Sequence, residues 1–311
     1  MTLVQLEYII ALDNYRHFAI AAEKCFVTQP TLSMQIQKLE DILGVQIFDR
    51  SKHPIEPTPI GEKILEQART IIAESKKVNE IIELEKNEIK GNIHIGVIPT
   101  LAPYIVPLFV SSFVEKYPDI NLQISELMTD GLIDQLEKDQ LDIGIMVTPL
   151  NDNSLKEIPL FYEEFFAYTS HHHSLYNLQD IDAGSLGTDG LWILNEGHCF
   201  RKQTLNICKA KKSERFNNRV LYESGSLEAL KRIVDKRGGY TLLPELFTLD
   251  LAKDEKVKLR SFKDPKPTRE VGIVFKKSFA KHKLIQALKE EILSTLPPIM
   301  TSRKNTNVVK F

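Results

Sequence analysis

The chain has 311 residues, 42% of them hydrophobic and 26% charged, a composition typical of a soluble globular protein with two or three domains. Its three cysteines are too few for a secreted disulfide scaffold. Since it also has no secretory signal and no stretch apolar enough to span a membrane, we expect a cytoplasmic protein. A net charge of −2 gives no support to a nucleic-acid partner, so any such partner must be argued from motifs.

The first 58 residues are predicted to form three helices. Apolar residues recur at helical spacing over 3–13, and a second apolar face follows over 18–26. A third helix is predicted over 29–43, with Thr28 as its N-cap and Gly44 as its C-cap. Two helices joined by a tight turn, the second polar on its outer face, are typical of a helix-turn-helix. Cys25 is interpreted as an ordinary core cysteine.

The segment from Ala21 to Arg50 resembles the winged helix-turn-helix of LysR-type transcriptional regulators, and the match runs through residues 1–65. The alternative is a generic three-helix bundle. The resemblance implies that promoter DNA is a partner, with some side chains facing the major groove and others gripping phosphates. The groove-facing residues would be Gln29, Pro30, Thr31, Ser33 and Gln35, and the phosphate contacts would be Lys38 and Arg50.

A long helix is predicted over 59–90, beginning after the capping residue Thr58 and ending in a solvated hinge. Residues at alternating spacings of three and four predict a coiled-coil seam. These are Ile64, Ala68, Ile71, Ser75, Val78 and Ile82. Because a lone helix this polar would be poorly stable, we predict that it dimerises, as the resemblance also implies.

Strands and helices alternate over the rest of the chain, which favours a parallel, doubly wound sheet. The first set is strand 92–98, helix 103–116, strand 120–126, helix 130–138 and strand 141–147. The second set is strand 160–168, strand 190–194, helix 200–209, strand 219–223, helix 226–236 and strand 239–243. Strand 270–275 and helix 280–295 then complete the first set.

The resemblance implies that residues 91–301 form a regulatory domain of two α/β lobes, similar to periplasmic binding proteins. Lobe I would comprise residues 91–161 and 267–301, and lobe II residues 162–266. The polar stretch 302–311 is predicted to be a disordered tail. The fold class is therefore α/β, with a winged helix-turn-helix, a linker helix and a two-lobed domain.

Two threonines follow strands of lobe I. Thr100 comes after the first strand and Thr129 after the second, so both hydroxyls are expected to face the cleft between the lobes. The alternative is that each is an ordinary helix N-cap. The run His171–His173 is interpreted as a surface loop because three consecutive histidines cannot share one face of a regular element. No metal and no cofactor is expected.

Cys199 lies between His198 and Arg201, and nearby cations favour the reactive thiolate. Cys208 follows nine residues later and could resolve an oxidised Cys199 as a disulfide. Nine helical residues advance about 13 Å, whereas a disulfide requires Cα atoms within about 7 Å, so closing the bond must remodel a helix over 200–209. The alternative is a pair of unrelated core residues.

The segment Gly197–Arg201 together with Cys208, Ser226–Glu228 and Gly238–Pro244 is similar to the peroxide-sensing members of the LysR family. That similarity implies that Cys199 is the peroxidatic and Cys208 the resolving cysteine. It implies that hydrogen peroxide is bound by Thr100, Thr129, His198 and Arg201. It also implies a homotetramer that activates peroxide-defence genes, with RNA polymerase as a further partner. The basic run 209–215 departs from those members.

Other classes of function remain open on the sequence. A LysR-type regulator that responds to a metabolite between its lobes would have the same fold, with incidental cysteines. A thiol peroxidase would share the first chemical step, but it would have no use for a DNA-reading domain. We therefore expect a regulator and not an enzyme.

Overall fold

The computed structural model describes residues 1–86, 89–150, 152–208, 222, 224–279, 281–303 and 307–311. The chain divides into two compact units. The N-terminal unit comprises Met1–Glu88 with Ser278–Lys281, and the C-terminal unit comprises Ile89–Lys277 with His282–Phe311. No described helix is both long enough and apolar enough to cross a membrane.

The N-terminal unit is a winged helix-turn-helix followed by a long helix, as predicted. Its elements are α1 (Leu3–Tyr15), α2 (Phe18–Lys24), α3 (Gln29–Leu43), β1 (Phe48–Asp49), β2 (Glu56–Pro57) and α4 (Pro59–Lys86). The first helix begins at a capping box, in which the Thr2 hydroxyl accepts from the Gln5 amide and the Gln5 side chain accepts from the Thr2 amide. Gly44 ends α3 in the left-handed conformation, as expected for a C-cap. Thr28, the predicted N-cap, makes no capping bond and instead hydrogen-bonds to the Thr31 hydroxyl at 2.8 Å.

Glu40, near the end of α3, fixes the wing. Its buried carboxylate accepts from the Ile47 amide at 2.8 Å and the Phe48 amide at 3.2 Å, and pairs with Arg50 at 2.7 Å. Gly61 allows the first turn of α4 to lie against Ile47, the residue before β1, since a Cβ at Gly61 would approach the Ile47 carbonyl oxygen to 2.0 Å. The wing and the start of the long helix are therefore fixed to α3.

The first half of α4 packs on α1. Arg69 donates to Asp13 at 2.8 Å and to Asn14 at 2.6 Å. Ala68, predicted to lie on a dimer seam, is buried in the core of its own unit, because α1 covers that side of the helix. Val78, farther along, is 60% exposed.

The C-terminal unit is built on one continuous mixed sheet. Its strands are β3 (Gly91–Val97), β4 (Ile120–Glu126), β5 (Ile143–Thr148), β6 (Leu155–Thr169), β7 (Asp180–Ile181), β8 (Tyr240–Pro244), β9 (Leu259–Phe262) and β10 (Thr268–Lys276). Its helices are α5 (Ala102–Lys116), α6 (Thr129–Glu137), α7 (Cys199–Ile207), α8 (Leu227–Arg237), α9 (Glu245–Leu249), α10 (Lys253–Lys256), α11 (His282–Thr295) and α12 (Pro298–Ser302). The strand order is β4-β3-β5-β10-β6-β9-β7, with β8 also paired to β6.

The long strands β6 and β10 connect the two lobes. One lobe carries β3, β4 and β5 with α5, α6 and α11, and the other carries β7, β8 and β9 with α7 and α8. Both connecting strands run antiparallel to their neighbours, so the expectation of a parallel sheet holds for β3, β4 and β5 and for the short pair of β7 with β9. The bounds proposed for the lobes stay a prediction.

Two predictions for the second lobe fail or cannot be assessed. The strand expected over 190–194 is reduced to one bridge between Leu191 and Tyr240. The Trp192 amide donates to the Tyr240 carbonyl and the Tyr240 amide donates to the Gly190 carbonyl, so the backbone bonds involve only the first residue of β8. The strand expected over 219–223, apart from Tyr222, and the basic run 209–215 lie outside the described residues.

The disordered tail expected over 302–311 is wrong for residues 307–311. The Thr268 amide donates to the Asn307 carbonyl at 3.0 Å, and the Val309 amide donates to the Thr268 carbonyl at 2.8 Å. Val309 also packs on the core of the second lobe. The segment is ordered because both its backbone and an apolar side chain find partners.

We expect Glu40→Ala to lower the unfolding free energy of the N-terminal unit by about 2–4 kcal/mol, because buried amide donors lose their acceptor. Hydrogen exchange of α3 amides in the full chain, measured against urea concentration, reports this value. The matched control is Asp41→Ala, which removes a carboxylate that accepts an exposed hydrogen bond from Gln37. Equal losses for the two variants would contradict the role assigned to Glu40.

Candidate functional site

The two cysteines of the predicted sensor lie at opposite ends of α7. Cys199 is the first residue of the helix and Cys208 is its C-cap. Both are buried free thiols. A regular helix between them places their Cα atoms about 13 Å apart, so the structure has the geometry of the thiol form and not of a disulfide.

Arg269, which the sequence did not single out, is the charged group next to Cys199. It lies at the start of β10 and is completely buried. Its Nε donates to Glu163 on β6 at 2.7 Å, and its Nη1 donates to the Thr100 hydroxyl at 2.9 Å. Its guanidinium lies 5.2 Å from the centre of the Phe200 ring, on the residue that follows Cys199. One cation thus contacts both lobes and α7.

The two threonines predicted to face the cleft lie near different groups, Thr100 at Arg269 and Thr129 at Cys199. Thr100 is 2% exposed, and its hydroxyl and carbonyl oxygens both accept from Arg269. Thr129 is the first residue of α6, and its hydroxyl is one of the groups that lower the pKa of the Cys199 thiol. Neither threonine is an N-cap, because Leu101 and Met128 occupy those positions. The structure therefore brings Thr100, Thr129 and Cys199 together around Arg269.

Burial raises the pKa of the Cys199 thiol, and Arg269, Thr129 and the Phe200 amide only partly oppose that effect. His198 and Arg201 are the two residues that the sequence predicts as cations near the Cys199 thiol. Burial lowers the pKa of His198, which favours the neutral ring. Arg201 donates to the Leu194 carbonyl at 2.6 Å. Arg269 is thus the cation that lowers the pKa of the Cys199 thiol, and the roles predicted for His198 and Arg201 stay predictions.

His198 still lies at the site, as the N-cap of α7. Its Nε2 is buried, and so is Asn195 Oδ1, and neither has a hydrogen-bond partner within the part of the chain that the structure describes. Both atoms point towards Gly225, where a Cβ would lie 3.4 Å from His198 Nε2 and 3.8 Å from Asn195 Oδ1. These two polar atoms therefore lie together beside Gly225, near the start of α7.

Cys208 lies in the core of the second lobe. Its sulfur is 3.7 Å from the Tyr240 hydroxyl, which itself donates to the Gly187 carbonyl. Burial raises the pKa of Cys208 to about 11. At neutral pH it is a protonated, packed thiol that must leave this core before it can meet Cys199.

The role of Arg269 could be found from the sequence only if the register between β10 and β6 were known. Arg269 and Glu163 are oppositely charged, and they lie directly opposite each other in the antiparallel pairing of β10 with β6. Since the two residues are 106 positions apart, only the register shows that they form a pair.

The predicted DNA-reading residues lie along α3, away from its buried stripe of Leu32, Ile36 and Leu39. Gln29, Pro30 and Lys38 are exposed, and Thr31, Ser33 and Gln35 are half-buried. Gln35 accepts a hydrogen bond from Gln5 at 3.2 Å. Arg50 pairs with Glu40, so its guanidinium also supports the wing.

Comparisons with known proteins agree with this fold. Residues 3–62 match the bacterial regulatory helix-turn-helix proteins of the lysR family, and residues 86–297 match the LysR substrate binding domain. The chain therefore belongs to the LysR family of bacterial regulators.

Within that family the chain is similar to the OxyR proteins. The hydrogen peroxide-inducible genes activator of Haemophilus influenzae is 34% identical over 279 residues, which cover 89% of this chain and 91% of that protein. The DNA-binding transcriptional dual regulator OxyR of Escherichia coli K12 is 33% identical over 276 residues, covering 89% and 90%. The solved structure of a full-length OxyR variant from Pseudomonas aeruginosa has a TM-score of 0.78 at 34% identity, covering 94% of this chain and 98% of that one.

The raised pKa of Cys199 predicts an alkylation rate that keeps rising above pH 9, by about tenfold per pH unit while the thiol form dominates. Iodoacetamide kinetics in a chain with Cys25→Ala and Cys208→Ala isolate this thiol. Adding Arg269→Gln removes the neighbouring cation, so the profile should move to higher pH. A rate that levels off below pH 9, or a profile that Arg269→Gln moves to lower pH, would contradict this account.

Proposed function

We propose that this protein is a peroxide-sensing transcriptional activator whose switch is α7. The observation that carries the proposal is the placement of Cys199 and Cys208 at opposite ends of one helix, with Arg269 and Thr129 at the first thiol. Relatives named hydrogen peroxide-inducible genes activators support the same substrate.

In the first step the Cys199 thiolate attacks one oxygen of hydrogen peroxide, and the oxygen–oxygen bond breaks. The sulfur is oxidised to a sulfenic acid, and the departing hydroxide takes up the proton that the thiol released, which gives one water. Thr100, Thr129 and His198 are the candidates to bind the peroxide. Arg269, in place of Arg201, stabilises the negative charge that passes from sulfur to the leaving oxygen.

In the second step the Cys208 thiol attacks the sulfenic sulfur. The sulfur–sulfur bond forms, the sulfur–oxygen bond breaks, and the hydroxide leaves with the Cys208 proton as a second water. Cys208 must leave its core position, so part of α7 has to unfold. The covalent bond then stabilises a lobe conformation that the thiol form does not favour.

The output is a change in how paired α3 helices bind promoter DNA. The chain dimerises through α4 and assembles as a tetramer, so a change in the regulatory lobes alters the spacing of the DNA-reading helices. Activation of peroxide-defence genes then proceeds through RNA polymerase.

The alternative is a regulator that responds to a metabolite bound between the lobes, which the match to the LysR substrate binding domain favours. Against this alternative, Thr100 accepts a hydrogen bond from Arg269, the cation beside Cys199, and Thr129 also lies at Cys199, so the cleft hydroxyls converge on the thiol. Under the metabolite alternative, peroxide would leave the thiols at 199 and 208 free.

We expect Cys199→Ser to abolish promoter activation by peroxide, because a hydroxyl is not oxidised to a sulfenic acid. A reporter assay with and without peroxide, together with a count of free thiols, tests this. The matched control is Cys25→Ser, which should retain induction because Cys25 lies in the N-terminal unit. Retained induction in Cys199→Ser would refute the proposal.

We expect Lys38→Ala to weaken DNA binding by a similar factor on all sequences, and to reduce the slope of log affinity against log salt by about 1. The reason is the loss of one phosphate contact from α3. Titration of a labelled promoter fragment at several salt concentrations measures both quantities. The control is Lys116→Ala, which removes an exposed lysine of the C-terminal unit and should leave the slope unchanged.

A further inference from the structure

Residues 307–311, here named the terminal segment, contact the strand that carries Arg269. Thr268 donates from its amide and its hydroxyl to the Asn307 carbonyl, both at 3.0 Å, and accepts from the Val309 amide at 2.8 Å. Val308 and Thr268 thus form a parallel bridge at the start of β10. The backbone of the segment extends the sheet at the residue next to Arg269.

The terminal segment also contacts α7 between the two cysteines. Gln203 Nε2 donates to the Val309 carbonyl at 2.9 Å, and Asn206 Nδ2 donates to the Lys310 carbonyl at 2.9 Å. The two donors are three residues apart, so they lie on the same face of the helix. Gln203 is completely buried, and Val309 packs on the core of the second lobe.

These contacts depend on α7 being helical. Gln203 and Asn206 reach successive carbonyls of the segment only while helical spacing keeps them on one face. Closing a bond between Cys199 and Cys208 removes that spacing, because the ends of the helix must approach by about 6 Å or more. The segment therefore binds the helical thiol form and not a remodelled one.

We propose that Gln203 and the terminal segment position α7, keeping Cys199 and Cys208 apart until the first cysteine is oxidised. This inference rests on the proposed function only for its consequence, a slower disulfide step. The stabilisation of helical α7 concerns the thiol form alone. A ligand that binds only one of two conformations stabilises that conformation. The segment acts as such a ligand within the chain.

The test uses two variants of the full chain, one that weakens the contact of the terminal segment with β10 and one that weakens its contact with α7. Val309→Pro removes the amide that donates to Thr268, and Gln203→Met removes the side-chain donor while keeping a similar volume. Val308→Pro is the matched control, because the bridge is formed by the carbonyl of residue 307 and the amide of residue 309. Lys202→Ala is the control on α7, where Lys202 is exposed.

In the reduced protein, the α7 amides of both variants should exchange with deuterium about fivefold faster than in the unmodified chain, as expected for the loss of one net hydrogen bond. Both controls should match the unmodified chain. Exchange that is unchanged in both variants, or equally accelerated in the controls, would overturn the proposal. Because the measurement is made on free thiols, its outcome does not depend on peroxide.

A peroxide time course then separates this inference from the proposed function. Once Cys199 is oxidised, both variants should lose the Cys208 thiol to the disulfide about fivefold faster than the controls, since the helix opens more often. If the unmodified chain keeps both thiols, the proposed function fails, and α7 exchange still decides the role of the segment. If the unmodified chain forms the disulfide but the variants do so no faster, the positioning role is wrong and the proposed function stands.

Discussion

The buried ion pair between Arg269 and Glu163 is the interaction on which the regulatory unit depends. Both side chains are completely buried, and they lie on the two strands that connect the lobes. A buried charge is tolerated only when it is paired and its remaining hydrogen-bonding groups are satisfied. Glu163 meets this condition by also accepting from the Leu246 amide, and Arg269 meets it through Thr100. The requirement fixes the register of β6 and β10 and places a cation beside Cys199.

The thiol at that cation is protected more than it is activated. Burial outweighs Arg269 and raises the pKa of Cys199, so the reactive thiolate is a minor species in the described conformation. Cys208 is protected in the same way inside the second lobe. Under the proposed function such a pair suits a sensor better than a turnover enzyme, because forming the disulfide would require a core residue to be withdrawn and a helix to be remodelled.

The sequence predicted most of the helices and strands because their apolar periodicity and end signals are local. The helices α1 to α3, the strand β4 and the helices α5 to α8 were located to within about two residues, which is the usual uncertainty of helix ends. Predictions failed where a long-range partner decides the outcome. Residues 190–194 resemble a strand but form a single bridge with Tyr240. Residues 307–311 belong to a stretch that was predicted to be disordered, but they bind Thr268 and Gln203.

The sequence by itself therefore determined the family, the DNA-reading helix and the two cysteines with their separation. All of these follow from residue type and spacing within one short segment. Only the tertiary structure decided which cation lies beside Cys199, that Ala68 is buried within its own unit, and that residues 307–311 contact α7. Each of these depends on strand register or on packing between residues far apart in the chain. Charge and burial at a thiol are set by such neighbours, and adjacent sequence does not specify them.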